Sequence, residues 1–550
     1  MRRAAALAAL AAAIAAAYPP LLVYARAGLA GAFRMLAADS FYYLAIADRS
    51  RAFPGFTFDG ERATNGFHPL WEWALALATS AFDLTRAQQI DVAFLASVAL
   101  VSLGAAAFAA AFALATGRAA LAVVAVAPGL YALVVPAFNP HYGSIWSFAN
   151  GMETPLSLAL GGALVLFASG GPRGAPLDRR LAHPFAAALA TALVLARLDD
   201  ALLVVAAAAC TAASARDVRG AIARAVRVAW APALGVGALL AYNASYSGMA
   251  MPVSGAAKFG GEVPALLRNG YALLTTLLPF ADPLGRGAVL WSEQAYRVAQ
   301  MVVPCGVALA WLVRERRARH ADLDARVRAI ATWLAVYVLL KGGYGFAAVH
   351  LWHQGHWYYP LSILAASGIG ALWISRALAR VAAPARAAAI ALAALFVLAR
   401  ANAFAETKLE SSVHDVYLAF WTRGPIVDAA LDAACPGCGV LEIDDGIVAH
   451  ALARPVMNGT GLALDREADA ARRRGELLAI ARARGFTLLA TVGYPLEVDA
   501  ALPPSDALRA AYGRLSFLRA QPLDAWSFEE VHRDPATGVR FVRFTPRGAR

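Results

Sequence analysis

The chain has 550 residues, of which 60% are hydrophobic and only 16% are charged. Soluble domains carry charge on nearer a quarter of their residues, so this composition, with a mean hydropathy of +0.55, excludes an ordinary soluble protein and predicts a polytopic membrane protein. The net charge of +12 does not indicate a nucleic-acid partner, because the arginines lie in short loops between apolar runs, as expected of cytoplasmic loops.

The first apolar run extends from Ala4 to Tyr24 and follows Arg2 and Arg3. Because further apolar runs follow along the chain, it predicts an uncleaved first span rather than a signal peptide. The later arginine-rich loops are typical of the cytoplasmic side, and an even number of spans must separate any two of them. This parity predicts about eleven spans, with the amino terminus inside and the carboxyl terminus outside.

Two segments, 185–215 and 69–82, decide the span count. The run 185–215 lies between two arginine-rich loops, so it must cross twice and turn on the outside at Arg197-Leu-Asp-Asp. Residues 69–82 are too short to cross easily, because a hydrocarbon core of about 30 Å needs about 20 helical residues. They predict an interfacial helix with Trp71 and Trp73 at headgroup depth. The polar segments then all fall on the outer face.

The first outer segment contains Asp39 and, three residues later, Tyr42. A partly desolvated carboxylate at a membrane surface can accept a proton from an attacking hydroxyl, which makes Asp39 a candidate general base. The alternative is that Asp39 caps a helix over residues 40–48, because aspartate is a favoured N-cap. The residue type alone leaves both interpretations open.

A turn at Thr64-Asn-Gly comes shortly before Pro69, which is a favourable first residue of a helix. Turn chemistry explains Asn65 completely, but it explains neither His68 nor Trp71. These three side chains are therefore retained together as candidates for substrate binding.

Four further charged residues lie in predicted outer segments. Glu153 begins a span, where an acid favours the helix dipole. Arg197 and Asp199 occupy the turn of the 185–215 hairpin; ionisable residues near membrane depth are costly and suggest function, although these two can simply pair. Lys258 is a lone cation in an otherwise apolar loop.

The last outer loop contains His350, His353 and His356, followed by Trp357 and Tyr358. Histidines at a spacing of three resemble a metal site, yet zinc sites usually include a cysteine or carboxylate, or histidines at i and i+4. Contact with phosphate or with the membrane interface is the favoured reading, and a divalent metal is the alternative. The sequence specifies no other cofactor.

Acids, cations and aromatic residues thus converge on one side of the membrane. A lipid-linked phosphosugar would need such a set: a base for the acceptor hydroxyl, cations for the departing lipid phosphate and aromatic rings for the sugar and the prenyl chain. The members are Asp39, Glu153, Lys258, His356, Tyr42, Trp71, Trp357 and Tyr358.

Several motifs in this order resemble those of bacterial GT-C-type membrane glycosyltransferases, including arabinofuranosyl- and mannosyl-transferring relatives. They cover roughly residues 1–400, with a weaker likeness over 444–461. The motifs are Asp39-Ser-Phe-Tyr-Tyr, Phe58-Asp-Gly, Thr64-Asn-Gly-Phe-His-Pro-Leu-Trp71, Gly151-Met-Glu-Thr154 and His356-Trp-Tyr-Tyr359. The resemblance implies transfer of a sugar from a polyprenyl-phosphate donor outside the cytoplasmic membrane, with Asp39 as the base and Glu153 as a second acid of the site.

Two positions depart from the family pattern. Ala38 stands where the family usually has another acid, which weakens a metal-binding role. His356 stands where an arginine commonly precedes the aromatic motif, which leaves Lys258 or Lys341 to bind the donor phosphate.

Residues 401–550 carry regular charge and short apolar stretches, which predict a separate α/β domain after a transmembrane module at 1–400. Strands are expected at 440–443 and 486–492, a helix over 466–484 and a hairpin over 526–544. Cys435 and Cys438 have neither a thioredoxin-like context nor a second pair for zinc, so they predict a local disulfide.

The sequence therefore predicts an α-helical polytopic membrane protein of the GT-C fold with a C-terminal periplasmic α/β domain. The predicted activity is inverting transfer from a polyprenyl-phosphate-linked sugar to a cell-envelope glycan or lipid acceptor, with membrane lipids as further partners. The expected location is the bacterial inner membrane, with the active site facing the periplasm. The alternatives are a flippase or transporter of lipid-linked glycan and a non-catalytic glycan-binding scaffold.

Overall fold

The computed structural model divides by internal packing into two units. The helical unit comprises Met1–Leu36, Ala93–Ala238 and Lys258–Glu410, and the mixed unit comprises Ala37–Val92, Leu239–Ala257 and Ser411–Arg550. The structure describes residues 2–131, 145–170, 177–255, 264–277, 287–317, 325–349, 357–410, 415–443, 446–493, 496–515, 517–518 and 520–548.

Seven of the described helices are long and apolar enough to cross a membrane, and three shorter apolar helices accompany them. The long ones are Arg2–Ala27, Arg86–Thr116, Val218–Ser247, Arg297–Arg314 within Gly287–Arg317, Val327–Ala348 within Ala325–Ala348, Pro360–Ala379 and Ala383–Glu410. The shorter ones lie within Ala119–Tyr131, Thr154–Gly170 and Pro184–Ala196. These helices agree with a polytopic membrane protein, whereas the total of about eleven spans stays a prediction.

The remaining described helices are shorter or less apolar than the seven long ones. Those in the first three hundred residues are Leu29–Met35, Ser40–Arg49, Pro69–Ala81, Ile145–Phe148, Leu177–Leu181, Ala201–Ala213 and Ala265–Leu277. Those near the carboxyl end are Asp415–Ala434, Ile447–Ala451, Arg466–Arg473, Leu477–Ala483 and Pro504–Gly513.

Glycines let helices of the helical unit approach closely. Gly104 packs against Leu158, and a Cβ on Gly104 would lie 2.8 Å from the Leu158 carbonyl. Gly162, on the same helix as Leu158, is part of this contact, because its Cβ would lie 2.8 Å from the Gly104 carbonyl oxygen. Small residues at such contacts are typical of membrane helices, because association there depends on close packing rather than on expulsion of water.

Both segments that decided the span count are helical as predicted. The run 185–215 forms the helices Pro184–Ala196 and Ala201–Ala213, joined by a single 3-10 turn over Leu198–Asp200. The segment 69–82 forms one helix of 13 residues, Pro69–Ala81. Its placement at the membrane interface stays a prediction.

The mixed unit contains a five-stranded sheet in the order β2-β1-β3-β5-β4. The strands are β1 Gly439–Glu442, β2 Val456–Asn458, β3 Phe486–Ala490, β4 Trp526–Arg533 and β5 Arg540–Pro546. Strand β1 pairs in parallel with β2 and β3, and β5 pairs antiparallel with β3 and β4. The predicted α/β character, both strands and the hairpin are confirmed.

The single helix predicted over 466–484 is wrong. Two helices, Arg466–Arg473 and Leu477–Ala483, stand there, and Gly475 separates them at a φ of +76°. An L-residue rarely adopts this conformation, so a glycine inside an otherwise helical pattern marks the end of the first helix.

The boundary predicted at residue 400 does not coincide with the packing units, because residues 37–92 pack with residues 411–550. The Thr64 hydroxyl donates to the Leu464 carbonyl at 3.2 Å. Gly66 lies so close to Leu462 that a Cβ would be 1.9 Å from its carbonyl oxygen.

His450 accepts from Trp421 Nε1 at 3.0 Å and contacts Gln89 Oε1 at 3.0 Å. Burial lowers the pKa of His450 to about 3, so this contact is made by a neutral ring.

The disulfide predicted between Cys435 and Cys438 is present, with a Cα–Cα distance of 5.6 Å. The loop that it closes is short, so the bond removes little chain entropy and should contribute near the low end of the usual range of about 0 to 5 kcal/mol. We expect Cys435→Ser combined with Cys438→Ser to lower the melting temperature slightly and to leave sugar transfer almost intact. Loss of transfer in a well-folded double variant would contradict this expectation.

Candidate functional site

Asp39 stands at the start of the helix Ser40–Arg49, but its side chain makes no capping hydrogen bond to that helix. Its backbone is helical, with φ −58° and ψ −20°, whereas an N-cap residue typically has an extended backbone. The residue is half-buried. The capping interpretation is therefore wrong, and the role of Asp39 as a base stays a prediction.

Tyr42, one helical turn after Asp39, is held by the C-terminal part of the mixed unit. Its hydroxyl accepts from Asn458 Nδ2 at 3.2 Å and lies 3.0 Å from the Thr460 hydroxyl. Asn458 is itself fixed, because its Oδ1 accepts from the backbone N–H groups of Gly461 and Leu462, each at 2.9 Å. This network orients the helix that carries Asp39.

Sequence reasoning did not propose Asn458 and Thr460 as members of the site. The signal was present as the weaker family likeness over 444–461, which contains Asn458-Gly-Thr460-Gly. A polar residue followed by glycine in a turn is usually explained by turn chemistry, so the pattern alone did not show that the turn contacts Tyr42.

The other predicted residues of the first outer segment have structural contacts. Asn65 Nδ2 donates to the carbonyls of Met249 and Met251 at 2.8 and 3.1 Å, and its Oδ1 accepts from the Val253 N–H at 3.0 Å. His68 occupies the N-cap position of the helix Pro69–Ala81 without a side-chain cap. Trp71 is buried in the protein, and substrate binding by Asn65, His68 and Trp71 stays a prediction.

Two neighbouring acids are poor candidates for the base. Asp59 Oδ1 accepts from the backbone N–H groups of Glu61 and Arg62 at 2.9 and 2.8 Å, so this carboxylate shapes its own loop. Glu72 is fully buried, and neither carboxyl oxygen has a hydrogen-bond partner in the described part of the chain. Burial raises the pKa of Glu72 well above its usual range, which favours the protonated acid.

A buried ionic network in the helical unit brings together Glu153, Arg197 and Asp199. Arg197 is 3% exposed; its Nη1 lies 3.1 Å from Glu153 Oε1 and its Nε lies 2.9 Å from Asp199 Oδ1. The same Nη1 donates to the Thr154 hydroxyl at 3.0 Å and to the Trp357 carbonyl at 2.8 Å. Arg197 and Asp199 therefore pair, as one of the two sequence interpretations proposed.

The network continues through Lys341, which lies 2.7 Å from Asp199 Oδ2 and 2.8 Å from Asp200 Oδ1. Asp200 also accepts from the hydroxyls of Tyr337, at 2.9 Å, and Ser157. Lys341 was proposed as a substitute ligand of the donor phosphate, but two carboxylates already neutralise it. A phosphate would have to displace them.

Trp357 and Tyr358 of the aromatic motif lie beside Arg197. The Arg197 guanidinium lies 4.7 Å from the centroid of the Tyr358 ring, and the Trp357 ring packs edge-on against Trp146 at 6.0 Å. Lys258 and His356 lie outside the described residues, so their roles stay predictions.

The metal alternative rested on His350 and His353 together with His356, all of which lie outside the described residues. Within the described ranges, no group of three or more histidine, cysteine or acidic side chains is placed to hold a metal ion. The carboxylates of the buried network are paired with Arg197 and Lys341.

Neither a protein-family model nor a curated protein sequence matches this chain. Among solved structures, ArnT from Cupriavidus metallidurans, bound to undecaprenyl phosphate, aligns with a TM-score of 0.52 and 14% identity. The alignment covers 97% of this chain and 98% of that chain. The chain has a GT-C fold. The predicted helical membrane fold with a C-terminal α/β domain is thereby confirmed, and an identity this low establishes the fold alone. The number of spans and the periplasmic placement of the C-terminal domain stay predictions.

Removing Arg197 should destabilise the helical unit, because Glu153 and Asp199 would lose a buried cation. We expect Arg197→Ala to cost about 3–5 kcal/mol of unfolding free energy, typical of a broken buried ion pair. Thermal denaturation of the purified protein in detergent measures the effect.

The control is Arg26→Ala, which removes an ion pair with Glu406 whose side chains are 46% and 52% exposed. This variant should cost at most about 1 kcal/mol. Equal small effects in both variants would show that the buried network does not stabilise the fold.

Proposed function

We propose that this protein is a membrane glycosyltransferase that takes a sugar from a polyprenyl-phosphate donor and transfers it to a glycan or lipid acceptor outside the membrane. The observation that carries the proposal is the end-to-end likeness to ArnT, whose structure contains undecaprenyl phosphate, with 97% of this chain aligned. The motifs from Asp39 to Tyr359 support it independently, because they resemble those of the family in order and, apart from Ala38 and His356, in residue type.

In the proposed reaction, the acceptor hydroxyl oxygen attacks the anomeric carbon of the donor sugar. The Asp39 carboxylate accepts the hydroxyl proton, the bond from the anomeric carbon to the lipid phosphate oxygen breaks, and the phosphate leaves with the electron pair. Attack opposite the leaving group inverts the anomeric carbon. Supporting observations are that Asp39 does not cap its helix and that Tyr42 on that helix is held by Asn458.

The remaining site residues would bind substrate. Glu153 is proposed as the second acid, with its orientation maintained by Arg197 at 3.1 Å. Trp357 and Tyr358 would offer aromatic faces to the sugar or the prenyl chain, which suits rings that contact apolar and polar groups together.

The variant Asp39→Asn tests the assignment of the base. Asparagine keeps the size of the side chain but cannot accept the proton, so transfer should fall by at least about two orders of magnitude. Melting temperature and lipid binding should stay unchanged. Turnover is measured with full-length protein, a polyprenyl-phosphate sugar and acceptor lipid from the host membrane.

Asp59→Asn provides a matched control from the same segment. Its amide oxygen can still accept from the N–H groups of Glu61 and Arg62, so transfer should be largely retained. Near-normal turnover in Asp39→Asn would instead move the base to Asp59, Glu72 or Glu153.

Donor binding should depend on the positively charged or protonatable groups of the outer loops. Lys258→Ala should weaken binding of the donor, whereas His356→Arg should preserve or improve it, because a guanidinium matches phosphate oxygens in a bidentate manner. Equilibrium binding of the donor measures both effects. Unchanged affinity in Lys258→Ala would exclude Lys258 as a phosphate ligand.

A further inference from the structure

Lys408 is a fully buried lysine that the proposed mechanism does not use. It lies in the last turn of the helix Ala383–Glu410, with an exposed fraction of 0%. Its Nζ is 3.5 Å from the Arg34 carbonyl oxygen and 5.1 Å from the centroid of the Trp146 ring. No carboxylate of the described residues forms an ion pair with it.

Two structural roles would explain a lysine here only in part. A cation in the last turn of a helix is favoured by the helix dipole, and a cation over an indole ring gains some electrostatic energy. Both effects are small compared with the cost of removing an ammonium from water, which normally requires a charged partner. Arg197 and Lys341 in the same unit satisfy that requirement with carboxylates, and Lys408 does not.

A second cation lies beside it. Arg34 donates from Nη1 to the Leu409 carbonyl at 2.7 Å, at the end of the same helix, while its own carbonyl contacts Lys408. Arg34 and Lys408 thus meet where this helix ends, beside the acids Glu406, which pairs with Arg26, and Glu410. An anion held between the two basic side chains would be attracted by both.

An apolar groove runs along the same helix. It has a volume of about 660 Å³ and lies between this helix, the first helix Arg2–Ala27 and the helix Ala119–Tyr131. Its lining is almost wholly aliphatic, and includes Leu7 and Ile14 of the first helix and Ala394 and Ala401 of the last.

Lys408 stands on the groove-lining face of its helix. Ala394, Ala401 and Lys408 follow one another at intervals of seven residues, and two helical turns separate each from the next, so all three lie on one face. Lys408 is about 10 Å beyond Ala401 along the axis. The Cα–Cβ bonds of helical residues tilt toward the amino end of their helix, so the Cβ of Lys408 leans toward the groove-lining residues. Its Nζ contacts the Arg34 carbonyl and the Trp146 ring, which do not line the groove.

We propose that Lys408 binds the phosphate of a polyprenyl phosphate whose isoprenoid chain lies in this groove. The inference rests on the proposed function for the identity of the lipid. A buried lysine that shares a helix face with an aliphatic groove, and lies beyond its last lining residue Ala401, is complementary to a molecule with one anionic group at the end of a long hydrocarbon chain. This assigns a phosphate ligand outside the motifs from which the donor site was predicted.

The test uses full-length protein in phosphatidylcholine nanodiscs and measures equilibrium binding of undecaprenyl phosphate and of undecaprenol. The wild type should bind the phosphate at least about tenfold more tightly, because a charge-assisted hydrogen bond in a buried site is worth that much. Lys408→Met should reduce this difference, and Lys408→Arg should retain it. Because Lys408→Met removes an unpaired buried charge at similar length, its melting temperature should not fall.

A matched pair of variants tests the groove. Ala394→Phe fills it, whereas Ala391→Phe places the same ring on an exposed position of the same helix that does not line it. The first variant should weaken binding of both lipids and the second should weaken neither. Equal effects of the two variants would overturn the placement of the chain.

Several outcomes would overturn the proposed lipid site. Unchanged phosphate preference in Lys408→Met, or a lower melting temperature with intact binding, would make Lys408 a structural cation and overturn the inference. Equal competition by phosphatidylglycerol or by inorganic phosphate would overturn the assignment to a polyprenyl lipid.

If the phosphate preference depends on Lys408 but the wild type transfers no sugar, the site stands and the proposed function fails. If transfer and binding are both normal in Lys408→Met, the function stands and the site fails.

Discussion

The free-energy cost of burying charge in a medium of low polarity governs the helical unit. Arg197 and Lys341 are almost completely buried, and both are neutralised by acids on neighbouring segments. Since Asp199 contacts both cations, the turn between two short helices is tied to the helix Ala325–Ala348 and to Glu153 at once. Removing one member would leave its partners as buried charges without a counter-ion, so the network stabilises the fold as a unit.

Close backbone packing shapes the mixed unit, where residues 37–92 pack with residues 411–550. Glycines make the contact possible, because Gly66 and Gly446 leave room for backbone that a Cβ would occupy. Asn458 then anchors Tyr42 at the start of the helix that follows Asp39. The C-terminal residues are consequently part of the support for the proposed base, in addition to any contact that they make with an acceptor.

Two buried basic residues of the helical unit, Arg197 and Lys408, differ in the partners that they have. Arg197 contacts two carboxylates and two further oxygen acceptors, which is typical of a structural group or of one that positions another. Lys408 lacks a carboxylate partner among the described residues and lies on the face that borders an aliphatic groove. Local departures from the pairing rule tend to mark sites where a ligand supplies the missing charge.

The sequence by itself determined the membrane class, the α/β character of residues 401–550, the turn at Arg197–Asp200 and the Cys435–Cys438 bond. These depend on composition, periodicity and short spacing, which are local properties. Only the tertiary structure decided that Asp39 does not cap its helix, that Asn458 meets Tyr42 and that Lys408 is buried without an acid. The first of these facts depends on the backbone conformation that the fold imposes at Asp39. The other two depend on contacts between residues hundreds of positions apart, and the free energy of a buried charge is set by such neighbours and not by the residues beside it in the chain.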